Sequence, residues 1–133
     1  MMPSATFTTA PPAFDKYAVL LEFGSDVVFI RHLANLLSAS LPAYVADLLA
    51  AAGAGDEPRV AKVAHAIRGS VGNIYADRLA GLAGLIERSA RQSRSIDPSL
   101  IDDLAEAVEV LLSEFVLWAE TLVERKDLVR DWR

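Results

Sequence analysis

Between Ile101 and Leu122 the apolar residues stand at Ile101, Leu104, Val108, Leu111, Phe115, Trp118 and Leu122. Their spacings alternate between three and four without a slip, a repeat of about 3.5 residues. A strand would need a period of two, so this stretch reads as a helix with one continuous apolar stripe. That period suits helices packed side by side at a shallow left-handed angle. One such helix cannot bury its stripe alone, so the rest of the chain must supply partners. The same segment is acidic, with Asp97, Asp102, Asp103, Glu106, Glu109, Glu114, Glu120 and Glu124 and no base between Arg94 and Arg125. Those acids read as a solvated outer face.

The partners lie upstream. Ile30, Leu33, Leu37, Leu41, Tyr44 and Leu48 mark a helix that Ser25 or Asp26 caps, running to about Ala52 and stopped by Gly53-Ala54-Gly55. Pro42 inside it predicts a kink, with a break as the alternative, because proline deletes one backbone bond. Asp56 caps the next helix, with Glu57 and Pro58 in its first turn, and Val60, Val63, Ile67, Val71 and Ile74 carry it to about Ala76. Asp77 is expected to cap the following helix, built on Leu79, Leu82, Leu85 and Ile86. Arg88, Arg91 and Arg94 crowd its last turns, where the helix dipole favours cations. Asp97-Pro98 opens the acidic helix. A short helix from about Asp15 to Glu22, with Tyr17, Ala18 and Leu21 on one side and Gly24 as its stop, precedes them all. The expected fold is all-α: an antiparallel four-helix bundle with a short additional N-terminal helix.

A chain of 133 residues with 53% apolar content is one domain with a sizeable core. Residues 1–13 are rich in Pro, Ser and Thr and read as a flexible linker or tail, leaving 14–133 as the helical bundle domain. The net charge of −5 argues against a nucleic-acid partner, since phosphate binding needs a basic surface. The absence of cysteine excludes disulfides and Cys-based zinc sites, and two histidines, His32 and His65, make no metal pattern. No run of 18 uninterrupted apolar residues occurs, and the N-terminus lacks the order of a signal peptide. The expectation is a cytoplasmic monomer with no cofactor, no metal and no direct membrane contact.

His65 sits in Val63-Ala64-His65-Ala66-Ile67-Arg68-Gly69-Ser70-Val71-Gly72. At about 100° per residue the apolar residues of this helix share one arc of roughly 80°, and His65 projects from the opposite side. Ala61, Gly69 and Gly72 are its neighbours on that side. A helix interior loses about 1 kcal/mol for each Gly relative to Ala. Two glycines beside an exposed imidazole suggest that stability is given up for steric clearance. His32 lies off the stripe of its own helix and reads as plain surface.

His65-Ala66-Ile67-Arg68-Gly69-Ser70 resembles the core motif of histidine-containing phosphotransfer (HPt) domains, His-x-Leu-Lys-Gly-Ser-Ser. Ala64, Ala76, Leu79, Leu82 and Glu87 follow the family spacing, and Leu21, Phe23, Gly24 and Asp26 are similar to the start of the family's second helix. The resemblance spans residues 14 to 124. Ile67 for Leu and Arg68 for Lys are mild departures. Val71 replaces a second Ser at an inward position. Tyr75 replaces a small residue, about 80° from His65 on the wheel, where it would reshape a partner's footprint.

The resemblance implies a phosphorelay intermediate that takes a phosphoryl group from a receiver-domain aspartate onto His65 and passes it to another. The linker-like start tilts the expected context toward the C-terminal module of a hybrid sensor histidine kinase, with a free-standing carrier as the alternative. The domain is a phosphocarrier, not an enzyme by itself. A neutral imidazole is a nucleophile near neutral pH. The chain has no phosphate loop and no acidic cluster at His65 for magnesium, so Mg2+ is expected on the partner receiver. Arg68, about 60° from His65, and Lys62 on the other flank are candidates to contact the phosphoryl oxygens. Gly69, Gly72 and Ala61 would give clearance, and Asn73 is a further candidate for a hydrogen bond. The receiver is expected to touch a neighbouring helix near Val27 and Val28. The rival reading is a helical interaction module that binds a receiver or kinase without phosphotransfer.

Overall fold

The computed structural model describes residues 12–24 and 26–123, and all regular structure among them is helical. The order is α1 (Lys16–Phe23), α2 (Val27–Gly53), α3 (Glu57–Val71), a 3-10 turn (Gly72–Ile74), α4 (Asp77–Arg91) and α5 (Pro98–Thr121). Of the expected linker, only Pro12 and Ala13 fall among the described residues.

Short polar side chains start the helices where the sequence asks for them. Asp15 accepts from the N–H of Ala18, Asp26 from Phe29, Asp56 from Arg59 and Asp97 from Ser99. Each satisfies a first-turn donor that the helix itself cannot. Gly24 stops α1 at φ 58, the left-handed conformation that glycine adopts without strain.

α2 packs on α3 and α5, and α4 packs on the same two, which closes a four-membered ring of antiparallel helices. The stripe of α5 behaves as its period requires. Ile101, Leu104, Val108, Leu111 and Phe115 are buried, and Trp118 and Leu122 pack at the edge of the core. Phe14 closes that end, its ring 4.9 Å from Phe115 in an edge-to-face contact. Arg31 reaches from α2 to the last turn of α5, donating Nε to the carbonyl of Ala119 and Nη2 to that of Leu122.

α2 runs through Pro42 as one helix. By length and composition alone it could cross a membrane. In this fold its stripe, Ile30, Leu33, Leu37, Leu41 and Leu48, lies in the bundle core.

Three local expectations are corrected. In α1 Tyr17 and Leu21 face solvent and Val19 is the buried residue. Apolar side chains fill most of that short helix, so its sequence does not specify a face. α3 ends at Val71 instead of Ala76, because the chain tightens into the 3-10 turn and Tyr75 turns left-handed at φ 58. That break makes Ala76 the cap of α4, without a side-chain bond, and puts Asp77 inside the first turn.

Candidate functional site

α3 is flanked by α2 on one side and α4 on the other, so a single ridge of it meets solvent. His65 stands on that ridge with its side chain 60% exposed. The stripe beneath it, Val60, Val63, Ile67 and Val71, is buried, which fixes the outward direction of the imidazole.

The ring is held by one nitrogen. Nδ1 lies 3.1 Å from Oε2 of Glu87, which reaches up from α4 and is only 6% exposed. A carboxylate can only accept, so Nδ1 carries a proton and donates it. The lone pair then belongs to Nε2, which makes no hydrogen bond among the described residues.

Glu87 is itself surrounded by donors. Arg91, one turn on, donates Nε to Oε2 at 3.0 Å and pairs its Nη2 with the same oxygen at 2.8 Å. Arg68 brings Nη2 to 3.2 Å from Oε1 and also to 3.2 Å from His65 Nδ1. The protonated Nδ1 cannot accept from Arg68, so the guanidinium's partner is the Glu87 carboxylate, held as an ion pair. Burial, the largest single influence on the Glu87 carboxyl, pushes its pKa up. The Arg91 hydrogen bond and the positive charges facing the carboxyl, that of Arg68 first, together outweigh it and hold the carboxyl below its ordinary value. Glu87 is therefore an ionised, buried acceptor.

The structure thus brings Arg68 to His65 and Glu87, and none of the other candidates bonds to the ring among the described residues. Lys62 is exposed on the opposite flank, in a hollow with Tyr44 and Asp47 of α2. Gly69 is exposed, and a Cβ built there would meet nothing within 4 Å. A packing glycine would show a close neighbour, so the open space lies outside the molecule. Gly72 has the same open surroundings but belongs to the 3-10 turn, as does Asn73, which makes no side-chain bond among the described residues. Ala61 is corrected: it is 4% exposed, buried toward α4 beside Ala90 and Arg91. The buried arc of α3 is wider than its large apolar residues indicate, because helices pack on both flanks. Tyr75 is corrected too. Past the end of α3 its hydroxyl donates to Oε1 of Glu22 at 2.8 Å, tying it to α1. That bond and the Glu22 charge raise its pKa above the ordinary phenol value.

Sequence reasoning passed over Glu87 as a partner of His65. One signal was present: an acid one residue after Ile86 and three before Ala90, on the buried side of α4. Gly84 was also missed. A Cβ there would come within 3.4 Å of Arg88 Nη1 and 3.6 Å of Arg68 Cδ, so its bareness lets Arg68 lie across α4.

The fold is similar to that of histidine-containing phosphotransfer protein B (HptB) from Pseudomonas aeruginosa PAO1. The two match with a TM-score of 0.75 and 23% sequence identity, over 84% of this chain and 97% of that one. Comparison with curated proteins gives no match. The family model for the Hpt domain matches residues 32–114, a stretch that holds His65, Arg68, Gly69 and Glu87. With that match across most of its length, the chain belongs to the Hpt domain family.

Proposed function

We propose that this domain is a phosphorelay intermediate in which His65 accepts a phosphoryl group from the aspartyl phosphate of one receiver domain and passes it to the aspartate of another. The observation that carries this reading is the exposed imidazole whose Nδ1 is held by a buried, ionised carboxylate. Nε2 attacks phosphorus, an N–P bond forms, and the P–O bond to the donor aspartate breaks, its electron pair returning to that carboxylate. The ring becomes positive and keeps its Nδ1 proton, and Glu87 stabilises that charge. Attack by the second aspartate reverses each of these changes.

Arg68 is placed to turn from Glu87 to the phosphoryl oxygens, where a planar fork of donors suits phosphate. Lys62 would serve from the other flank. Among the described residues no three metal-ligating side chains gather, and in this reading the receiver brings both Mg2+ and the carboxylate. Gly69 leaves room for its acidic pocket. The docking helix is α2, at a different height from Val27 and Val28. Arg59 pairs with Asp47, which marks the antiparallel register of α3 and α2. At about 1.5 Å per residue, His65 then lies level with the turns around Leu36 to Tyr44, and Val28 is roughly 20 Å further along. Leu36 is 52% exposed there and suits the apolar centre of a transient contact. The working form is a monomer in the cytoplasm.

The test is incubation with phosphorylated receiver domains, followed by detection of acid-labile, base-stable phosphate. His65→Gln is expected to abolish labelling with the helical signal unchanged. Labelling that persists in the variant, or a receiver that binds without labelling the native chain, would refute phosphotransfer at His65. The second result would leave an interaction module.

A further inference from the structure

A carboxylate that orients a histidine also tends to spoil it as a nucleophile. An anion beside an imidazole favours the imidazolium. The imidazolium has protons on both nitrogens and no lone pair with which to attack phosphorus. Glu87 is buried 3.1 Å from Nδ1, so the conflict is acute at this site.

The surroundings of Glu87 resolve it. Oε2, the oxygen that meets His65, is the same oxygen that accepts from Arg91 Nε and pairs with its Nη2, and Oε1 pairs with Arg68. One negative charge faces two guanidinium groups. The other groups near the ring do not restore the anion. α3 itself contributes Arg68 and Lys62. α4 adds Arg88, whose Nη1 lies over Gly84 close to the Arg68 stem. α2 brings Tyr44 and Asp47 to the far flank, and Asp47 is paired with Arg59 at 2.9 Å. The hydrogen bond from Nδ1 to Glu87 persists, while the field that would draw a second proton onto Nε2 is largely cancelled.

Of the two arginines, Arg91 isolates this effect. Arg68 approaches the ring itself and is a candidate for phosphate contact. The Arg91 side chain makes its described bonds to Glu87 alone. We propose that Arg91 is a positioning residue that acts on His65 through Glu87: by sharing Oε2, it lets the carboxylate fix the ring while leaving Nε2 unprotonated and nucleophilic. This rests on the phosphoryl-accepting reading of His65.

The experiment follows acceptance of phosphoryl from a receiver domain charged with acetyl phosphate, as a function of pH, in the native protein, Arg91→Gln and Arg91→Lys. In Arg91→Gln the acidic limb is expected to move to higher pH. The rate should fall about three- to tenfold near pH 6 and stay within about twofold near pH 8.5, since tenfold corresponds to one unit of a titration. Arg91→Lys retains the positive charge and is expected to keep the native limb. A merely structural Arg91 would lower the rate equally at every pH. A native-shaped profile in Arg91→Gln, or a limb shifted equally in both variants, would overturn the proposal. The 15N signals of the His65 ring give a reading that needs no receiver: the ring is expected to gain its second proton at higher pH in Arg91→Gln than in the native protein or Arg91→Lys. An unchanged NMR titration refutes the role of Arg91 even if transfer fails. A native chain that no receiver labels refutes the phosphotransfer reading instead.

Discussion

A carboxylate among Ala83, Ile86 and Ala90 would be costly if it stood alone. Glu87 is tolerated because His65, Arg68 and Arg91 bring donors to both of its oxygens. Glu87→Gln keeps the shape and removes the charge. It is expected to cost about 1.5–3 kcal/mol at neutral pH, the range for hydrogen bonds to charged groups. Urea unfolding would measure it. The sign of the pH dependence follows from the depressed carboxyl. Its contribution is full above the unfolded value near 4.5 and is lost as pH falls through the lower folded value. The gap between native protein and Glu87→Gln should therefore close on acidification. Gly69 gives a second expectation. Gly69→Ala should hold or raise stability by up to about 1 kcal/mol, since the added methyl meets open space. Gly69→Gln should slow transfer with stability kept. His65 and Gly69 could be read from the wheel because exposure opposite an apolar stripe is a local property. The bond to Glu87 could not, because it depends on how α3 and α4 are set against each other.

At the scale of elements, legibility follows the strength of the local signal. α5 carries its apolar repeat over its whole length, and Asp97-Pro98 marks its start, so both its extent and its buried face were visible. The same holds for α2, where Asp26 and Gly53 bound a long stripe. The end of α3 was not visible. Ile74 continues the helical period and is buried, yet it reaches the core from a 3-10 turn. Periodicity alone does not separate those two geometries. Arg31 was equally hidden, since its acceptors are backbone carbonyls of another helix. Those carbonyls belong to the partly negative C-terminal end of α5. Arg31→Ala should cost about 0.3–1 kcal/mol, the worth of one cation at a helix C-terminus. The loss should appear first as faster amide exchange in the last turn of α5.

In the molecule as a whole, charge is segregated. α5 holds Asp102, Asp103, Glu106, Glu109, Glu114 and Glu120 with no base, and α3 and α4 hold Arg59, Lys62, Arg68, Arg78, Arg88 and Arg91. The ring of helices places α5 diagonally across from α3, since α2 and α4 stand between them. A receiver centred on His65 therefore leaves the acidic helix uncovered. Glu109→Lys and Glu114→Lys should change the transfer rate by less than about twofold at physiological salt, because charges beyond about 8 Å in solvent are largely screened. A large loss in either variant would move the docking face to α5. The single solvent-facing ridge of α3 has a kinetic consequence as well. On the proposed reading it offers one imidazole and one landing place, so donor and acceptor cannot occupy it together. Each visitor must leave before the next arrives, and flux through the carrier is capped by the slower of the two departures. An acceptor stripped of its aspartate would still land and block the ridge, so an excess of it should throttle the relay in proportion to its occupancy. Tight binding by either partner would slow the traffic that the exposed ring makes possible.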